Sequence, residues 1–390
     1  MNLTILCRNE NVLGNTATAF LQGFYPPSDP ATESTLTNGT EQFNPLSGYQ
    51  YVLVNGVPST APDSIWIKGD MYCPAMTNAS QAYYQSQDFL TKQQQLQPFY
   101  DKFTPLLSGI FPQSEIGFQS AYGIFDYLNV GYIHNATIYA SLSPEDLFQL
   151  QTLADQQELA KVYNESSPNT SIGGRTLSGA ILQQLNKTVS GTDQKLKVSY
   201  FAASYSVFQA FFGISGLTQA SPNFDGLPSY ASVMSFELRQ SGPTFAPANL
   251  FVRFGFRNGT ADTTALETFP LFGRNATTGD VPWFEFEVVM QRMAISSQEQ
   301  WCQTCQTSNQ TFCAAYPIYT GRLPGTPEEG VPGAGLGTAA AGAIGAGVAI
   351  AVMLALEGAA ALWYVFKRRS RGAVNEKVMS DTASDRSILA

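Results

Sequence analysis

The chain has 390 residues, 44% hydrophobic and 13% charged, a composition that suits a folded protein and excludes wholesale disorder. A single histidine, His134, excludes a His-rich metal site and any mechanism needing two imidazoles, and no cofactor is expected. The net charge of −9 is concentrated in residues 1–332, where 15 basic side chains face 26 acidic ones, so nucleic acid is not an expected partner.

In chain order, Met1–Leu6 has neither the basic start nor the apolar run of a signal peptide. A tail-anchored cytosolic protein would leave every sequon and disulfide idle, so the N-terminus is expected to be incomplete or its start misassigned. Ser143-Pro144-Glu145-Asp146 opens a helix: a capping hydroxyl, a proline for the first turn and two acids for the positive helix end. Leu147, Leu150, Leu153 and Ala154 continue it at helical spacing. A second helix is expected after Gly173-Gly174, with Leu177, Ile181 and Leu185 on one face. Lys195–Phe201 alternates as a strand, Ala202–Ser206 reads as a short loop, and Val207–Leu217 reads as a buried helix. That helix–strand–loop–helix passage points to an α/β sheet. Val233–Leu238, Leu250–Arg257 and Trp283–Met293 alternate like further strands, with Asn258-Gly259 as a turn.

All five cysteines precede residue 314, and Cys302-x-x-Cys305 has no second pair or nearby His, so disulfides involving Cys73, Cys302, Cys305 and Cys313 are expected and a zinc ribbon is not. The odd count leaves one thiol over. Ten Asn-x-Ser/Thr sequons, at Asn2, Asn38, Asn78, Asn135, Asn164, Asn169, Asn186, Asn258, Asn275 and Asn309, lie on that same side. Residues 323–338 form a Pro/Gly-rich linker. Ala339–Phe366 is then apolar apart from Glu357 for 28 residues, and Lys367, Arg368, Arg369 and Arg371 follow. About 20 apolar residues span a bilayer, so a single transmembrane helix with a cytoplasmic tail over residues 367–390 is expected. The localisation is then the plasma membrane or a secretory-pathway membrane. Ala339, Ala343, Gly347, Ala351, Ala355 and Ala359 recur every fourth position. Such a stripe suits a homodimer face, and in so Ala/Gly-rich a segment it arises by chance about as readily.

Three segments, "TLSGAILQQLNKTV", "LKVSYFAASYSVFQAFFGISGL" and "LPSYASVMSFELRQ…NLFVRFGFRNGT", resemble in that order the second half of histidine acid phosphatases, branch two of the histidine phosphatase superfamily. "VGYIHNATIYASLSPEDLFQLQTLADQQELAKVYN" resembles the helical insertion before that half, and "RNENVLGNTATAFLQGFYPP" the Arg-containing segment and its helix. The resemblance implies a three-layer, phosphoglycerate mutase-like α/β sandwich with a mostly parallel sheet. The core would take residues of about 1–30 and 165–322, and an inserted helical cap about 31–164. It also implies phosphomonoester hydrolysis through a phosphohistidine, with arginines on the phosphate and a later His-Asp pair supplying the proton donor.

Residue by residue, the catalytic set does not carry over. No Arg-His-Gly occurs, and the strand expected to bear it lies before residue 1. Ala203 and Ser204 occupy the His-Asp positions, and neither replaces the residue it stands for. Arg8 is the weak candidate for a phosphate clamp. His134 matches a His-Asn in the cap and reads as a helix-packing or hydrogen-bonding residue. A serine-hydrolase reading of Ser204 and Ser206 lacks the Gly-x-Ser-x-Gly elbow and a positioned base. Three functions stay open: a non-catalytic, glycosylated, membrane-anchored scaffold or binding module, for which a phosphate-containing ligand fits; an active acid phosphatase; and an unrelated receptor or adhesion ectodomain.

Overall fold

The computed structural model describes residues 2–27, 33–43, 45–54, 56–193, 195–260, 266–274 and 279–316. The linker, the apolar run 339–366, the basic tail and Asn275 lie outside these residues. Among the described residues no helix is long and apolar enough to cross a membrane.

Strand β1 (Asn2–Arg8) is flanked on one side by the two-residue β4 (Gly56–Val57) and on the other by β5 (Leu196–Ala202), all parallel. The register sets Cys7 against both Gly56 and Ala202, so the C-terminal ends of β1 and β5 finish level. Helix Asn11–Phe24 covers this sheet with Ala17 and Leu21, four residues apart, and Phe20 stacks on Tyr200 at 4.3 Å. A hairpin of β2 (Glu33–Thr35) and β3 (Glu41–Phe43) lies between β1 and β4 in the chain.

The second sheet is antiparallel. β6 (Val233–Gln240) pairs along its whole length with β7 (Leu250–Arg257), as a short connection requires. β7 also pairs with β8 (Glu267–Thr268) and β9 (Asp280–Pro282). The expected mostly parallel sheet is therefore divided, with parallel strand-to-strand pairing in β4-β1-β5 and antiparallel pairing in the second sheet. Phe211, Phe212, Phe224, Phe254, Phe256, Trp283 and Phe286 fill the core between this sheet and its helices.

Helix Pro144–Val162 begins as the sequence requires, with Ser143 Oγ accepting from the Asp146 N–H at 3.0 Å. It packs with helices Gln87–Asp101 and Ala121–His134 around Phe89, Tyr100, Phe118, Ile124, Leu128 and Leu150. Gln157 is buried there, and its amide donates to the carbonyls of Phe118 and Gln119 at 2.6 and 2.8 Å.

Three expectations are corrected. Helix Ile172–Val189 runs through the glycine pair instead of following it. A Cβ on Gly174 would stand 2.5 Å from the Ala210 carbonyl carbon, so glycine is what lets helix Tyr205–Ile214 approach. That neighbouring helix starts at Tyr205, because the strand runs on to Ala202 and leaves only Ala203-Ser204 as a loop. Trp283–Met293 is a helix and not a strand. Phe284 and Val288, which made the pattern alternate, are exposed, while Trp283, Phe286 and Met290 are buried at helical spacing.

Two disulfides close the C-terminal part, Cys73–Cys305 and Cys302–Cys313, leaving Cys7 as a buried free thiol. Cys302 and Cys305 lie three apart in helix Gln298–Cys305 and bond outward, not to each other.

Candidate functional site

Ligands of parallel α/β sheets bind beyond the C-terminal ends of the strands, which here are Arg8 on β1 and the Ala203-Ser204 loop after β5. A third element reaches the same edge. The one-turn helix Ile65–Lys68 carries Lys68, and Asp70 follows two residues later. Lys68 Nζ donates to Ser206 Oγ at 2.5 Å and pairs with Asp70 Oδ2 at 2.8 Å. Ser204 Oγ and Ser206 Oγ are 3.2 Å apart. Ser204 precedes helix Tyr205–Ile214 without capping it through its side chain, so its hydroxyl serves the serine pair instead.

Arg8 is buried, and its guanidinium is bound to the Glu10 carboxylate. Both cations at this edge thus have an acid of their own. Asp70 Oδ1, in addition, is buried with no hydrogen-bond partner among the described residues. The cleft lined by Arg8, Ser64, Lys68, Tyr72 and Trp301 has a volume of about 10 Å³. That is room for roughly one water.

The positions that the resemblance assigns to histidine and aspartate are here a methyl and a hydroxyl. Ala203 packs against the aromatic core and Ser204 stays beside Ser206. Lys68 is no substitute base for Ser206, because an ion-paired ammonium is a donor without a lone pair. His134 ends helix Ala121–His134 and is exposed rather than packed, with exposed Ile133 and Asn135 on either side. It lies in the helical part, as expected, and does not line the cleft. Among the described residues no cluster of His, Cys, Asp and Glu fits a metal.

A second polar group flanks the loop. Tyr205 Oη donates to Glu158 Oε2 at 3.0 Å, and Glu158, buried, pairs with Lys161 at 2.6 Å. Burial first, and then the Glu158 charge, push the Tyr205 phenol far up. This group ties helix Pro144–Val162 to the residue after Ser204. Sequence reasoning identified Arg8, Ala203 and Ser204 but passed over Lys68, Asp70 and Glu158. Lys68-Gly-Asp70 after an apolar run carried a local cue, a charge pair beside a glycine, but nothing in it named Ser206 as its neighbour.

The family model for the histidine phosphatase superfamily (branch 2) matches residues 13–255, and this chain belongs to that family. Arg8 falls just outside the matched residues, whereas Lys68, Ala203, Ser204 and Ser206 fall inside them. No curated protein matches the chain. The match removes the reading of an unrelated adhesion ectodomain and establishes a phosphatase-like domain.

Proposed function

We propose that the domain is a non-catalytic member of its family, a three-layer scaffold with a helical cap that presents a glycosylated surface outside a membrane. One observation carries this reading: the loop after β5 offers Ala203 and Ser204 where hydrolysis needs an imidazole and a carboxylic acid. A serine hydroxyl is too weak an acid to protonate a departing alkoxide. Arg8 is buried and Lys68 largely so, and each is already ion-paired there, which argues the same way.

The surface supports the glycoprotein part. Asn38, Asn78, Asn135, Asn164, Asn258 and Asn309 are exposed, and Asn169 and Asn186 are half-buried. The hydropathy of residues 339–366 and the basic residues after it support an anchor that leaves residues 1–332 extracytoplasmic.

The test is an assay of the full-length protein on an aryl phosphate from acid to neutral pH. Hydrolysis should stay at the buffer rate, and Ser204→Asp alone should not raise it. Turnover that disappears in Lys68→Met or His134→Ala would overturn the reading. Treatment of the protein from its native cell with an N-glycosidase should increase its gel mobility. An unchanged mass would remove the glycosylated, extracytoplasmic part.

A further inference from the structure

Away from the β1/β5 edge, the antiparallel sheet carries an open depression of about 430 Å³, within the range of roughly 300–1,000 Å³ that small-molecule sites occupy. Its walls come from the end of β6 (Arg239, Gln240), the following Ser241, Phe251 on β7, Arg274, and Asp280 on β9. The register builds it: Arg239 lies opposite Phe251, and Phe251 opposite Pro282, so one ring is set between the two edges.

The chemistry of the walls is mixed. Arg239 and Arg274 bring two guanidinium forks to a chain whose net charge is −9. Their acids, Glu237 and Glu285, hold them from outside the depression and are themselves half exposed. Asp280 is different. It is fixed by a bidentate pair from Arg253, at 2.7 and 3.0 Å, so its carboxylate is a neutralised wall with lone pairs still to accept with. Gln240 donates one of its two amide N–H groups to the Gly242 carbonyl, at 2.8 Å, and its amide oxygen is an acceptor. Ser241 adds a hydroxyl and Phe251 an apolar face.

Inorganic phosphate, which keeps one or two P–OH donors at neutral pH, would use the arginines and one of the acceptors but leave the ring without a partner. A ligand with a carboxylate, several hydroxyls and a C–H face uses all of them. We propose that this depression binds a small polyhydroxylated carboxylate, a sugar acid of the uronic type. The carboxylate would lie between Arg239 and Arg274, hydroxyls would donate to Gln240 Oε1 and Asp280, and the C–H face would rest on Phe251.

Ligand-observed NMR titrations of the full-length protein with glucuronate, glucose and inorganic phosphate test this. Glucuronate should bind saturably, at least about tenfold tighter than either of the others, because each charge-assisted pair lost corresponds to about that factor. Arg239→Gln and Arg274→Gln, made singly, should each weaken glucuronate by about tenfold while the melting temperature holds. Absence of glucuronate binding, binding that survives both substitutions, or phosphate binding as tight as glucuronate would each overturn the proposal.

Discussion

Trp301 Nε1 donates to the Gly69 carbonyl at 2.8 Å, a buried bond between residues 232 apart in the chain. It joins the disulfide-bearing helix Gln298–Cys305 to the turn that carries Lys68 and Asp70. Position 70 is thus set from the C-terminal side of the domain, while Ser206, its other neighbour, comes from the helix after β5.

Trp301→Phe keeps most of the ring and removes the donor. The Gly69 carbonyl is then buried and unpaired, which should cost about 1–3 kcal/mol in denaturant unfolding. A change within error would show that the bond does not hold the turn.

Peptide mapping without reduction should recover Cys73 with Cys305 and Cys302 with Cys313. Cys7 should resist alkylation until the chain is unfolded, since it is fully buried and burial also pushes its thiol up. A Cys302–Cys305 peptide would contradict the arrangement. Replacing Cys73 and Cys305 together by alanine should cost about 2–5 kcal/mol.

Burial pushes the Asp155 carboxyl up from 3.8, against the opposing effect of the Leu227 N–H that bonds it at 2.8 Å. The folded state therefore holds this proton more tightly than the unfolded chain. Its contribution to stability is full below the ordinary carboxylate range and is lost as pH rises through the folded value. Asp155→Asn keeps an acceptor for Leu227 and cannot ionise. The two proteins should match in stability at low pH, with the variant pulling ahead as pH rises to neutrality. Parallel curves across that range would show that the shift is absent.

Lys161→Met strips the buried Glu158 of its cation and leaves Tyr205 as its donor. Breaking a buried pair from one side costs about 3 kcal/mol or more. Adding Glu158→Gln removes the stranded charge, so the double variant should recover most of the loss in urea unfolding. Equal stabilities of single and double variants would argue that Glu158 is already well solvated.

The elements that were legible in the sequence are those whose signal is local. Ser143 through Asp146 specify a helix start by themselves, and Leu196–Ala202 alternates clearly enough to be a strand. Trp283–Met293 misled because Phe284, Phe286 and Val288 alternate with Glu285 and Glu287. The core takes up Trp283, Phe286 and Met290 instead, and exposes the other two apolar side chains. The site divides in the same way. Ala203 and Ser204 were readable from their place after a strand, whereas the Lys68–Ser206 contact joins residues 138 apart and has no local trace.

The Cys73–Cys305 bond also determines how the chain bears load. With its two ends pulled apart, tension passes from residue 73 straight to residue 305, 232 positions on, through sulfur, and the covalent span between them is bypassed. The antiparallel sheet and the helices of residues 74–304 are then outside the force path. β1 lies in the force path and its partner β5 does not, so tension is borne by the β1–β5 pairing. Under reducing conditions that whole span becomes extensible, and the domain changes from a short tether into a long one.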